Sequence, residues 1–292
     1  MTLRAAIVSS SGPGVRRGTI PILVGAVLLG AIALAAGFGP IVLDGDHTVQ
    51  RHDAILRPPG FEHWFGTGRL GEDVLAQTVY GLRKSLLIGI TVALVSTAMS
   101  AVIGSIAGLV GGRTDVAIMW LVDVLLVLPP IVVVAVVSPL FAGRSWVLLV
   151  VAIAIFQWML PARMVRSRAM VLRESGFVRA ARAMGAPGRR IIRRHLIPNM
   201  LPLLVIDVTL TVGTAVIAEA GLSYFGFGVQ APDVSLGTLL AAGSASATTF
   251  PWIFLAPAGS LVAMVMAVGL LGEGLRLRLE EPTDGGGSDV GR

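Results

Sequence analysis

Long apolar runs alternate with charged stretches along this chain, and six of the runs are long enough to matter. An α-helix needs about 20 apolar residues, at about 1.5 Å each, to cross about 30 Å of hydrocarbon. The runs fall at roughly Gly18–Gly39, Leu86–Val110, Val116–Leu140, the segment between Arg144 and Arg163, Leu201–Leu222 and Trp252–Leu271. Each is continuous rather than alternating over ten residues, which argues against a β-barrel. The pattern predicts an all-α polytopic membrane protein with six transmembrane helices.

Composition agrees. Of 292 residues, 54% are hydrophobic and 14% charged, with a mean hydropathy of +0.83. A soluble domain of this length could not hide so much apolar surface. With no cysteine, disulfides, thiolate metal sites and cysteine nucleophiles are excluded. The net charge of +6 reads first as topology and not as a nucleic-acid footprint. The stretch from Gly18 to Leu43 carries no charge and exceeds the apolar region of a signal peptide, so it reads as a retained helix.

Loop charge then sets the expected orientation. Segment 161–200 holds ten arginines against one acid, Glu174. Segment 223–251 holds no basic residue, and the outer segment balances five basic residues with six acids. Positive loops stay inside, so both termini are expected in the cytoplasm of a multi-pass plasma (inner) membrane protein. The expected organisation is a cytoplasmic tail 1–17, a first helix 18–43, an outer segment 44–84 and a five-helix core 85–278. The core contains the basic loop 161–200, and a Gly-rich, disordered tail 279–292 follows. The outer segment is too long to be structureless in a compact domain. Trp64, Trp120, Trp146 and Trp252 fall near span ends and read as interfacial anchors. The glycines at 104, 108, 111 and 112 read as close helix packing.

The basic loop has internal shape. Leu172 to Met184 is rich in good helix formers. Gly185 is placed to stop that helix, and Pro187 discourages continuation. "RRIIRRHLIP" then suits a second helix lying at the headgroups, with Pro198 and Pro202 leading into the next span. A basic loop that merely fixes topology would leave the glycine–proline punctuation unexplained.

These residues resemble a known signature. "ARAMGAPGRRIIRRHLIPNMLP" is similar to the cytoplasmic loop of ABC-importer permease subunits, through Ala180, Ala181, Gly185, Ile191 or Ile192, His195 and Pro198. "WFGTGRLGEDVLAQTVYGLRKSL", "LVDVLLVLPP", "AVIAEAGLSYFGFGVQAPDVSLGTLL" and "LLGEGLRLRLE" resemble further parts of dipeptide and oligopeptide permeases, in order, over about residues 60–280. The resemblance is nearest to their C-type subunits. It departs at Arg179, where the family carries Glu. It departs also at Gly68 and Glu72, where the outer motif carries Asp and Arg.

The resemblance implies a type I ABC importer permease fold and half of a peptide translocation pathway. A second homologous permease subunit, two ATPase subunits and an extracytoplasmic peptide-binding protein would be the partners, within the lipid bilayer and without nucleic acid. Phe177, Ala180, Ala181, Arg182, Met184, Gly185 and Ala186 would form the helix seated on an ATPase, with Pro187, His195 and Pro198 shaping the loop. The chain would be no enzyme and would bind no cofactor, with ATP and Mg on the partner subunits. The sequence has no GxxxxGK[ST], the phosphate-binding loop of many ATPases. Importers of this type for haem, glutathione or nickel share the subunit.

Three carboxylates, Asp123, Asp207 and Glu219, lie inside apolar runs. Each would cost about 2.5–3.5 kcal/mol facing lipid at mid-bilayer, so each is expected to face protein or water. They read as structural, although a proton-coupled secondary transporter could use them, and a non-transporting scaffold held by the basic loop is the second rival. His195 has no second ligand at metal spacing, and no catalytic set stands out.

Overall fold

The computed structural model describes residues 18–42, 49–137 and 146–280. Among them the chain is nearly all helix: α1 Thr19–Val42, α2 Val74–Val110, α3 Gly112–Val127, α4 Pro130–Val137, α5 Val147–Gln157, α6 Met159–Arg173, α7 Gly176–Ala183, α8 Gly188–Ile191, α9 Ile197–Tyr224, α10 Leu236–Ser244 and α11 Pro251–Glu280. A wide turn at Ile192–Leu196 joins α8 to α9.

The hydropathy pattern locates the spans, but their bounds and shapes differ from it. Four helices are long and apolar enough to cross a membrane, and two bent pairs supply up to two more. The run Val116–Leu140 is broken into α3 and α4 with a 77° bend. Pro129 and Pro130 explain this: neither has an N–H, and Pro129 pushes Leu128 to an extended backbone with ψ 125°. The short fourth run becomes α5 and α6, bent by 46° at Trp158, and α6 carries the helix on to Arg173. α2 begins at Val74, so residues 74–84 of the expected outer segment are already helical. α11 continues to Glu280, which moves the start of the tail past residue 279. Residues 1–17 and 281–292 lie outside the described residues.

α2 is the axis of the fold. It has 37 residues, about 55 Å of helix, and touches α1, α3, α5, α6, α9, α10 and α11. Its buried positions are mostly small: Gly81, Ser85, Gly89, Ala93, Ser96, Ser100, Ala101, Gly104, Ser105, Ala107 and Gly108. Helices in lipid gain little from hydrophobicity against one another and associate by close packing, which small residues allow. A Cβ on Gly104 would lie 2.6 Å from the Ala162 carbonyl oxygen, and one on Gly108 2.6 Å from that of Arg166. Gly111 and Gly112 serve differently from the packing expected of them. Both take positive φ in the turn between α2 and α3.

The segment 49–73 is folded onto the end of the bundle opposite the arginine-rich loop. Thr67 is fully buried and bonds the Ala54 carbonyl, while the Arg57 amide donates to its hydroxyl at 2.8 Å. Asp73 caps α2 through the Ala76 amide and meets His63 Nδ1 at 2.7 Å. Trp252 Nε1 donates to the Thr67 carbonyl at 3.3 Å, tying this segment to the start of α11. The two departures from the outer motif meet here. Glu72 folds back beside Gly68 and accepts from the Leu70 amide, and a Cβ at position 68 would lie 2.9 Å from Glu72 Oε2.

The glycine contact predicts a contrast between two helical glycines. Gly108→Ala must push α2 off α6, whereas Gly259→Ala in α11 meets open space. We expect the first to lower the thermal midpoint of the detergent-extracted protein. The second is expected to leave it unchanged or raise it, since Ala is favoured over Gly in helices by about 0.5–1 kcal/mol. Equal midpoints would remove the packing role.

Candidate functional site

The arginine-rich loop folds as a short helix, a tight stop and a long helix. α7 is a strongly amphipathic helix of eight residues. Val178 and Ala181, three residues apart, are buried on its inner side. They join Ala101 and Leu109 of α2, Val165 and Ala169 of α6, and Ile191, Leu196, Met200 and Leu204 of the following helix. Full burial of Val178 alone contributes about 1.5–3 kcal/mol. Flanking this buried stripe, Phe177 is 42% exposed and Met184 81% exposed, with Ala180 exposed between them.

The stop after α7 has a specific geometry. Gly185 takes φ +77°, its amide donates to the Arg182 carbonyl at 2.9 Å, and the Ala186 amide donates to the Ala181 carbonyl at 3.0 Å. This is the paired hydrogen-bond pattern of a Schellman end, which favours glycine at the left-handed position. Ala186 packs on the same apolar cluster as Ala181. Pro187 follows with an extended backbone, and its carbonyl accepts from the Arg190 and Ile191 amides.

The second helix is not a separate interfacial one. Gly188–Tyr224 runs as one helix of 37 residues, and Pro198 and Pro202 are accommodated within it. The wide turn at Ile192–Leu196, with the Ile197 amide on the Ile192 carbonyl, lies just before Pro198. Pro198 has no N–H for the Arg194 carbonyl and its ring crowds that group, so a widened turn relieves the clash. His195 sits in this turn with its ring 6.1 Å from that of Phe177. Asn199 Nδ2 donates to the His195 carbonyl at 2.7 Å.

The seven residues expected to form the partner-facing helix therefore divide. Phe177, Ala180 and Met184 point outward. Ala181 points inward and holds the helix down. Gly185 and Ala186 form its stop. Arg182 reaches back, its Nη2 donating at 2.8 Å to the Leu109 carbonyl near the end of α2, where helix carbonyls lack intrahelical partners. Arg179 is exposed, and no described acid pairs with it.

The intramembrane carboxylates are all engaged. Glu219 is fully buried. Ser85 of α2 and Ser223 of α9 each donate to it at 2.7 Å. Ser85 Oγ accepts in turn from the Leu236 amide, and Ser223 Oγ from that of Val229. Glu219 thus joins α2, α9, the start of α10 and the intervening loop. Asp207 accepts from Thr97 of α2 at 2.5 Å. Asp123 pairs with Arg163 of α6.

Two further pairs were not singled out by sequence reasoning. Arg166 grips the buried Asp115 with two nitrogens, Nη2 at 2.5 Å from Oδ2. Lys84 lies 2.9 Å from Asp233 and 5.5 Å from the Trp146 ring centre. The partners are 51 and 149 residues apart, so local patterning held no signal. That Lys84 is the one lysine in the chain was the available hint. Among the described residues no three His, Asp or Glu side chains converge as metal ligands.

The helix stop predicts a graded response at Gly185. A Cβ there would meet nothing within 4 Å, so only the backbone resists substitution. Gly185→Asn, which tolerates the left-handed conformation, should keep the stop. Gly185→Val should cost about 1–2 kcal/mol and speed hydrogen exchange of the amides at 185 and 186 by about tenfold. Equal exchange in both variants would contradict the geometry.

Comparison with known proteins places this architecture. Residues 100–280 match the family described as binding-protein-dependent transport system inner membrane component. The chain is 51% identical over 229 residues to the oligopeptide transport system permease protein OppC of Mycobacterium tuberculosis (strain ATCC 25618 / H37Rv), covering 78% of this chain and 79% of that one. It is 33% identical over 258 residues to the oligopeptide transport system permease protein OppC of Bacillus subtilis (strain 168), covering 88% and 84%. The family match takes in α3, the Gly185 turn, Glu219 and α11, and the chain belongs to the family of inner membrane components of binding-protein-dependent transport systems.

Proposed function

We propose that the chain is a permease subunit of an ATP-driven peptide importer, forming half of the pathway and coupling to an ATPase through α7. The observation that carries the reading is the two-sided build of α7. Its inner side is locked into the cluster shared by α2, α6 and the long helix, while Phe177, Ala180 and Met184 are left facing outward. A partner gripping that outer side moves three membrane-crossing elements with it, because packed interiors transmit displacement instead of absorbing it. Peptide as substrate is supported by the names of the two relatives.

In this reading the arginine-rich end lies in the cytoplasm, where the positive-inside rule puts the nine arginines from Arg166 to Arg194. ATP and Mg are bound by the ATPase partners, a second permease completes the pathway, and a binding protein delivers peptide at the opposite end. A proton-coupled transporter is less well supported, because Glu219, Asp207 and Asp123 each have a separate hydroxyl or arginine partner and form no relay.

Reconstitution with the second permease, the ATPases and the binding protein tests the proposal by uptake of a labelled peptide into vesicles. Uptake is expected only with ATP and the ATPases present. Uptake by this chain alone, driven by a proton gradient, would overturn it. Met184→Asp combined with Phe177→Asp changes two exposed residues and should leave the fold intact. We expect it to cut uptake by about tenfold or more, as loss of central interface anchors does. Unchanged uptake would exclude the outer side of α7 as the coupling surface.

A further inference from the structure

The Asp123–Arg163 ion pair sits in the wrong surroundings for a lipid-facing surface. Both residues lie in bent helix pairs apolar enough to cross a membrane. Asp123 is eight residues beyond Asp115 on α3, about 12 Å along the helix. Yet the Asp123 and Arg163 side chains are 60% and 45% exposed. Arg163 stands one helical turn before Arg166, at the inner margin of the apolar run, and charges carried by an apolar helix pair are excluded from hydrocarbon and face protein or water.

The helix break nearby carries the same demand by a separate route. α3 ends at Val127 and α4 begins at Pro130, and Leu128, Pro129 and Pro130 are exposed between them. Without an N–H on Pro130, the Leu126 carbonyl loses the donor that a continuous helix would supply. Irregular backbone at membrane depth persists only where protein buries it or water reaches it. Leu126 and Val127 lie three and four residues beyond Asp123 and border the same side of α3, so one environment meets the ion pair and the free Leu126 carbonyl. Apolar protein would strip water from the ion pair at a large desolvation cost, whereas an aqueous channel would not.

We propose that the α3 face bearing Asp123 and Val127, together with Arg163 of α6, lines the water-filled pathway and that the ion pair contacts the passing peptide. This rests on the importer reading. A peptide is a zwitterion. The Asp123 carboxylate offers an acceptor for ammonium groups, and the Arg163 guanidinium offers paired donors for carboxylates.

The complete importer in vesicles tests this with two peptides, one carrying a Lys side chain and one a Glu. Asp123→Asn should lower the Lys-to-Glu uptake ratio by at least about threefold, and Arg163→Gln should raise it by a similar factor. Equal losses for both peptides would mark the pair as structural and overturn the contact. Because the chain has no cysteine, a single introduced thiol is the only one on this subunit, and its labelling is read on this subunit's band after separation from the others. Val127→Cys leaves the ion pair untouched. It should react with a water-borne thiosulfonate at least about tenfold faster than Val102→Cys on the exposed side of α2. Equally slow labelling would overturn the aqueous face. Peptide uptake by the unsubstituted importer tests the parent reading separately: its failure sinks that reading, while normal uptake with an unmoved ratio sinks only the contact.

Discussion

The fold depends on how closely other helices can approach α2. Every other span meets it or meets a helix that does, and lipid supplies no hydrophobic force to press helices together. Glycines at 104 and 108 let the α6 backbone sit where a side chain would otherwise be. That approach sets the positions of Val165 and Ala169, and these in turn form the floor on which Val178 and Ala181 rest. The seating of the outward-facing helix therefore depends on missing side chains about 100 Å of chain path away as well as on contacts within the loop.

Polar groups pin the two ends of this packing. At the arginine-rich end, Arg166 holds Asp115 and Arg182 caps the Leu109 carbonyl. At the other end, Glu219 gathers two serine hydroxyls that each relay to a loop or helix amide. Lys84 and Asp233 close the same region nearer the surface. In low dielectric such bonds have few competitors, and a fully satisfied network selects one arrangement of the helices that join it. The intramembrane carboxylates thus do for register what the glycines do for distance.

Much of this was legible in the residues, with a consistent division between what was and what was not. Hydropathy located the apolar runs because span length is a property of consecutive residues. Gly185 was legible because a left-handed helix stop has a local chemical signature. The bend at Leu128 was written in "LPP" but was averaged away in a long apolar window. Pro198 was over-read as a boundary, because a proline breaks a helix only where no widened turn can absorb it. The pairing of Asp115 with Arg166, of Lys84 with Asp233 and of Ser85 with Glu219 depends on which helices become neighbours, and no local pattern encodes that. Ala181 belonged to the right motif, yet its inward side emerged only with the helix it packs against.

The unbroken helix from Gly188 to Tyr224 makes the two ends of the molecule parts of one lever. One end follows the Gly185 turn, and the other holds Glu219 and the loop toward α10. The rod is about 55 Å long, so a tilt of about 10° at one end carries the other through about 10 Å. The widened turn at Ile192–Leu196 lies near the Gly185 end, where a small change in winding has the longest arm to act through. Any tilt of this helix at the Gly185 turn therefore reappears, enlarged by the length of the rod, at Glu219 and the loop beyond it.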